Sequence, residues 1–115
     1  MPTEKRTRVE IFLPVRSDLT AYQTASEWLA EELAFIRGGS TFTTPFSGLY
    51  TSPTRIDLVH DSIQILFCDF DTDIENDDEQ LRLINYLETI KVFLMESLEE
   101  EEVWIVFYPI IRVIS

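Results

Sequence analysis

A chain of 115 residues, 45% hydrophobic and 26% charged, has the length of one domain and the composition of an ordinary globular protein. Nine basic against 21 acidic residues leave a formal charge of −12, which argues against nucleic acid or an anionic membrane as the main partner, since both select basic surfaces. Three glycines and five prolines leave no room for long disordered or collagen-like segments.

Arg8 to Val15 alternates, with Val9, Ile11, Leu13 and Val15 on one face and Glu10 and Phe12 on the other, the pattern of a strand with one face in a core. Ser17-Asp18 then supplies an N-cap, and helical spacing runs to Arg37 along a stripe of Tyr22, Ala25, Leu29, Leu33 and Ile36. Gly38-Gly39 ends that helix, because glycine takes the left-handed conformation without a Cβ clash. Ser40 to Ser52 is rich in threonine and aromatics and contains Pro45, which cannot donate to a ladder, so it reads as an edge strand. Ser52-Pro53-Thr54 is a turn, Arg55 to Val59 a short strand, and a bend is expected near His60-Asp61-Ser62. Ile63 to Phe70 follows as a strong strand. A second helix is expected from Asp77-Asp78 to about Leu98, burying Leu83, Leu87, Ile90, Leu94 and Leu98, and Val103 to Ile114 closes the chain as a strand.

The order β-α-β-β-α-β is the signature of a ferredoxin-like α+β sandwich. The expectation is a single domain over 1–115, with a four-stranded antiparallel sheet and two helices on one face. The only cysteine, Cys68, lies in the run Ile65-Leu66-Phe67-Cys68 and behaves as a small buried hydrophobe. The first residues carry no secretory h-region, and the longest apolar run, Val103 to Ile111, is far shorter than the roughly 20 residues that span a bilayer. A soluble cytoplasmic protein is the simplest expectation.

Two strands are apolar on both faces. In the last, Val103, Ile105, Phe107, Ile111 and Val113 oppose Trp104, Val106, Tyr108, Ile110 and Ile114; in the third, Ile63, Ile65 and Phe67 oppose Leu66, Cys68 and Phe70. Two helices cover one side of a sheet, so the other side stays in water unless something covers it. The face with Trp104, Tyr108 and Arg112 is the candidate, because these amphipathic side chains suit interfaces. The bland alternative is an over-hydrophobic strand whose end a loop covers. The interface reading gathers Phe12, Leu66, Trp104, Val106 and Tyr108 and predicts a homodimer of stacked sheets.

Candidate chemistry is sparse. Asp69, Asp71 and Asp73 begin like a calcium loop, with oxygen ligands at alternate positions, but Ile74 stands where glycine makes the sharp turn and Gln80 replaces the bidentate glutamate. The alternative is a solvated turn, with Asp77 or Asp78 capping the following helix. The acidic run Glu99 to Glu102 suits solubility or a basic protein partner. His60 and Cys68 are single residues of their kind and lie too far apart along a strand, roughly 26 Å, to form a dyad. No zinc motif or phosphate loop is present, so no cofactor and no catalytic residue is assigned. A second function class remains open: a small-molecule or enzyme module of the dimeric α+β barrel type. Its pocket at the subunit interface would be lined by Phe12, His60, Trp104, Tyr108 and Arg112, with Glu10 as acid or base. Glu10 and Arg112 are equally readable as a structural ion pair.

Gly38-Gly39-Ser-Thr-Phe-Thr, Gly48-Leu-Tyr50 and Leu58-Val-His-Asp61-Ser62 before a hydrophobic strand together resemble a family of small bacterial ferredoxin-like proteins. In that family a Gly-Thr segment leads to Gly-x-aromatic, a polar turn and an acidic-Ser pair; Tyr50 stands where its members usually carry tryptophan. The resemblance implies the β-α-β-β-α-β fold and no activity.

Overall fold

The computed structural model describes residues 2–14, 19–37, 41–42, 46–51 and 58–114, and the side chains of 2–14, 20–34 and 63–114. Its elements are β1 (Thr3–Pro14), α1 (Leu19–Arg37), β2 (Thr41–Phe42), β3 (Phe46–Thr51), β4 (Leu58–Phe70), α2 (Asp77–Leu98) and β5 (Trp104–Val113). The expected caps at Ser17-Asp18 and Gly38-Gly39, Pro45, the turn at Ser52-Pro53-Thr54 and the start of a strand at Arg55 lie outside the described residues.

The sheet is antiparallel, and its three long strands run in the order β4-β1-β5. β2 and β3 both pair with β4, at Phe67–Leu66 and at Ile63–Leu58 respectively. β4 is one continuous strand, so the bend expected at His60-Asp61-Ser62 is not there: Leu49, Gly48 and Ser47 pair with those three residues and hold them extended. β1 begins five residues earlier than its apolar alternation does. Thr3 to Thr7 carry no core pattern and are held by pairing with Val113 to Pro109.

Both helices pack on the face of Val9, Ile11 and Leu13 from β1 and Leu66, Cys68 and Phe70 from β4. From α1 come Tyr22, Ala25, Leu29 and Leu33; from α2 come Leu83, Leu87, Ile90, Leu94 and Leu98, at steps of three and four that keep one stripe inward. Each fully buried leucine or isoleucine contributes about 1.5–3 kcal/mol. Tyr22 reaches through this layer to donate its hydroxyl to Gln64 Oε1 at 2.5 Å, and burial raises its pKa.

The ends of α2 follow from local chemistry. Asn76, and not Asp77 or Asp78, is the N-cap: its Oδ1 accepts the Glu79 N–H at 3.1 Å. Asp77, Asp78 and Glu79 fill the first turn, where negative charge meets the positive end of the helix dipole. At the other end Glu99 takes the left-handed conformation, with φ 53°, while the Glu100 N–H reaches Met95 O at 2.9 Å.

Candidate functional site: the helix-free face of the sheet

Pairing register places the remaining side chains of β1, β4 and β5 on the opposite face in rows. Ile65, Phe12 and Trp104 form one row; Phe67, Glu10 and Val106 the next; Asp69, Arg8 and Tyr108 the third. Beyond the end of β4, Arg6 lies beside Ile110 and Glu4 beside Arg112. No described helix covers this face, and Trp104, Val106 and Tyr108 stay 57%, 39% and 37% exposed.

The face has an apolar half and a charged half. In the apolar half the Phe12 and Trp104 rings meet edge to face, with centroids 6.3 Å apart and planes at 64°. Arg8 joins the halves, its guanidinium standing 4.9 Å from the Phe67 ring centroid. The same guanidinium donates from Nε to Asp69 Oδ1 at 2.7 Å and from Nη2 to Oδ2 at 3.0 Å, a two-pronged carboxylate grip. That grip holds the Asp69 carboxyl below its ordinary pKa and raises that of Arg8. Arg112 adds a longer contact to Asp69 Oδ2 at 3.8 Å and pairs with Glu4 at 3.0 Å. Arg6 bridges Glu4 at 3.2 Å and Asp71 at 2.5 Å. Tyr108 donates its hydroxyl to Glu10 Oε1 at 2.7 Å, and the carboxylate raises the tyrosine pKa by favouring its protonated form.

The expected site residues are distributed accordingly. Phe12, Trp104, Val106 and Tyr108 share the face, with Glu10 and Arg112 beside them. Leu66 does not. It is 0% exposed in the helix-side core, because strand parity turns it away from Ile65 and Phe67, which take the places expected of it. The expected Glu10–Arg112 ion pair does not form, because register sets Arg112 against Glu4, with which it pairs, and Glu10 against Val106, where it accepts the Tyr108 hydroxyl instead. His60 lies in β4 and pairs with Leu49 of β3, and its side chain lies outside the described residues. Asp69, Asp71 and Asp73 do not converge as metal ligands. Asp69 and Asp71 are held by arginines, and Asp73 Oδ1 accepts the Glu75 N–H at 3.0 Å within its own turn. Among the described residues no group of three His, Cys, Asp or Glu side chains could hold a metal ion.

Sequence reasoning missed Arg6, Arg8 and Glu4, whose signal is simple parity with Glu10 and Phe12 once β1 is extended to Thr3. It also missed Ile65 and Phe67, which parity with Asp69 would have placed. No helix among the described residues is long and apolar enough to cross a membrane.

No protein-family model matches the chain, and no curated protein matches it. Solved structures do. A phage SAM lyase in complex with S-methyl-5'-thioadenosine aligns at 17% identity and TM-score 0.56, over 91% of this chain and 88% of that one. The divalent cation tolerance protein CutA1 from Thermus thermophilus aligns at 16% identity and TM-score 0.49, over 93% and 84%. CPII bound to ADP and bicarbonate, from Thiomonas intermedia K12, aligns at 15% identity and TM-score 0.45, over 96% and 91%. The likeness to the phage lyase is one of fold: with the strand order and the one-sided helices, it marks the chain as a small ferredoxin-like α+β protein. A fold of this kind hosts many unrelated functions.

Proposed function

We propose that the protein is a non-enzymatic self-associating module, a homodimer joined through the helix-free faces of two stacked sheets. The observation that carries this reading is the row of Phe12 and exposed Trp104 above Phe67 and Val106 on a face without helices. Charge supports a second copy as the occupant. On this face Arg6, Arg8 and Arg112 stand against Glu4, Glu10 and Asp69, with Asp71 held by Arg6 at its end, so the face is close to charge balance in a chain of charge −12. Most of the acid excess lies elsewhere, much of it on α1 and α2, so two copies meeting sheet to sheet keep their most acidic surfaces apart.

Size supports it too. Three strands about 4.8 Å apart, each with ten residues at about 3.4 Å, project roughly 480 Å². We also read β2 and β3 as one interrupted edge strand, which makes a four-stranded sheet and brings the projection to roughly 640 Å². Side-chain relief makes the accessible area larger than the projection, near the roughly 800 Å² per partner of a stable interface.

A second reading, a small-molecule pocket between stacked copies, draws on Phe12 and Trp104 from the apolar half of the face and on Tyr108 and Arg112 from the charged half, with His60 as a further lining residue and Glu10 as acid or base. It is the weaker one, because Glu10 already accepts the Tyr108 hydroxyl and Arg112 is engaged by Glu4 and Asp69. A calorimetric titration with S-methyl-5'-thioadenosine that gives heat in the parent, and none in Arg112→Ala, would favour it.

The deciding experiment is solution mass by size-exclusion chromatography with light scattering, on the parent and on Trp104→Asp. The reading expects twice the chain mass of 13.4 kDa or a multiple of it, and a halved mass for the variant with an unchanged far-UV spectrum. A monomeric parent, or a folded variant of unchanged mass, sinks it.

A further inference from the structure

β5 is an edge strand: among the described residues it pairs with β1 alone. One hydrogen bond fixes the phase of that pairing. The Ile114 N–H donates to Pro2 O at 3.1 Å, which makes Pro2–Ile114 a hydrogen-bonded pair. The register continues without a bulge to Phe12↔Trp104, and hydrogen-bonded pairs alternate with non-bonded ones. Residues 104, 106, 108, 110 and 112 therefore turn their backbone groups toward β1, while 105, 107, 109, 111 and 113 turn theirs to the open edge. Pro109 sits in the middle of that edge and has no N–H to offer.

Proline thus divides the edge. Beyond it, β1 and β5 continue as a two-stranded ribbon, because β4 ends at Phe70 opposite Thr7. On the helix side of this ribbon Ile111 is 68% and Val113 67% exposed, the two most exposed large hydrophobics among the described residues. An apolar edge strand with open donors is a template for another strand, and natural edges are blunted by charge, bulges or proline; Pro109 blunts the middle of this edge and leaves the stretch beyond it open. Here β5 carries one charged residue, Arg112, whose side chain is turned to the other face and paired with Glu4.

We propose that the edge of β5 beyond Pro109 pairs antiparallel with the same strand of a second copy, about a two-fold axis at Ile111. In this register the Ile111 N–H groups bond to each other's carbonyl oxygens, and the Val113 N–H groups bond to the partner strand's Pro109 carbonyl oxygen. Proline is asked only to accept. Arg112 comes to lie opposite Ile110 of the partner strand and only diagonal to the partner's Arg112, each paired with its own Glu4, and the exposed Ile111 and Val113 side chains become cross-strand neighbours. Centring the pair on Pro109 would instead set two prolines opposite each other and leave the central pair without any hydrogen bond. This contact uses the strand edge and not the sheet face, so it stands independently of the reading above, and the two together build a tetramer.

The test is solution mass for the parent, Ile111→Pro, Ile111→Lys and Trp104→Asp, with far-UV circular dichroism as the fold check. Ile111→Pro removes an N–H that points away from β1, and Ile111→Lys places like charges opposite each other at a position that is already exposed. The edge contact predicts a twofold fall in mass for both Ile111 variants, with the lysine variant regaining mass at high salt. An Ile111→Lys protein that keeps the parent mass at low salt overturns it, as does a monomeric parent; should the proline variant unfold, the lysine variant decides. A mass halved by Trp104→Asp but not by Ile111→Lys supports the face contact and overturns the edge contact. The converse supports the edge and overturns the face.

Discussion

Asp69 is the residue on which the charged half of the sheet face turns, and its replacement by asparagine tests the electrostatic account directly. Its side chain is 15% exposed and accepts two hydrogen bonds from Arg8, with Arg112 at 3.8 Å. Hydrogen bonds to charged groups contribute about 1.5–3 kcal/mol. Arg8 is about one-third exposed, and the asparagine amide could still accept one of the two bonds, so the cost of Asp69→Asn is set at about 1–2 kcal/mol. In a domain of this size that lowers Tm by roughly 4–10 °C at pH 7. The pH dependence gives the sign. The folded-state pKa of Asp69 is depressed, first by the Arg8 hydrogen bonds and then by the nearby arginine charges. Its stabilisation is therefore complete above the unfolded value of about 4 and is lost as pH falls through the lower folded value. Thermal melts of parent and variant from pH 7 to pH 2 should converge below about pH 4. Equal melting temperatures at pH 7, or a gap that persists undiminished to pH 2, would refute the reasoning.

Four further substitutions address the fold, each read by urea denaturation monitored by circular dichroism. Leu66→Ala should cost about 2–5 kcal/mol because it opens the helix-side core, whereas Phe67→Ala on the opposite face should cost about 1 kcal/mol; a reversed order would mean that the face assignment of β4 is wrong. Asn76→Ala removes the cap acceptor of α2 and should cost about 1 kcal/mol. Glu99→Gly relieves a side chain held at positive φ and removes a negative charge from the helix C-terminus, and should stabilise by about 0.5–1 kcal/mol.

Periodicity carried most of the architecture. The stripe Leu83, Leu87, Ile90, Leu94, Leu98 located α2 to the residue, and the alternation Val9, Ile11, Leu13 assigned the core face of β1. What periodicity could not reach was register. Glu10 and Arg112 were legible as neighbours on one face, yet which acid meets which base depends on the offset between two strands distant in sequence, and a shift of six residues exchanges one partner for another. A strand apolar on both faces hides its parity for the same reason: Leu66 and Phe67 are both hydrophobic, and only the pairing Leu66↔Ile11 puts the first in the core. The carboxylates at 69, 71 and 73 looked like ligands because the arginines that engage two of them lie more than sixty residues earlier. The cap at Asn76 was a choice between adjacent residues, which pattern alone does not make.

The near balance of charge on the sheet face dictates how association responds to salt. Two molecules of charge −12 whose centres lie about 25 Å apart repel by about 24 kcal/mol at the dielectric constant of water, an upper bound that ignores ions. With a screening length of about 30 Å at 0.01 M salt this falls to about 10 kcal/mol, and with about 10 Å at 0.1 M to about 2 kcal/mol. The contact itself, made by apolar rows and by charges already paired within each copy, has little for salt to weaken. Dimerisation through this face should therefore tighten with salt, by at least tenfold in Kd between about 0.01 and 0.1 M, as read by sedimentation equilibrium. A Kd that rises over that range would mean that the copies are held by charges paired between them. The arginine–carboxylate network would then be an intermolecular recognition surface, and the apolar rows would not be the seat of association.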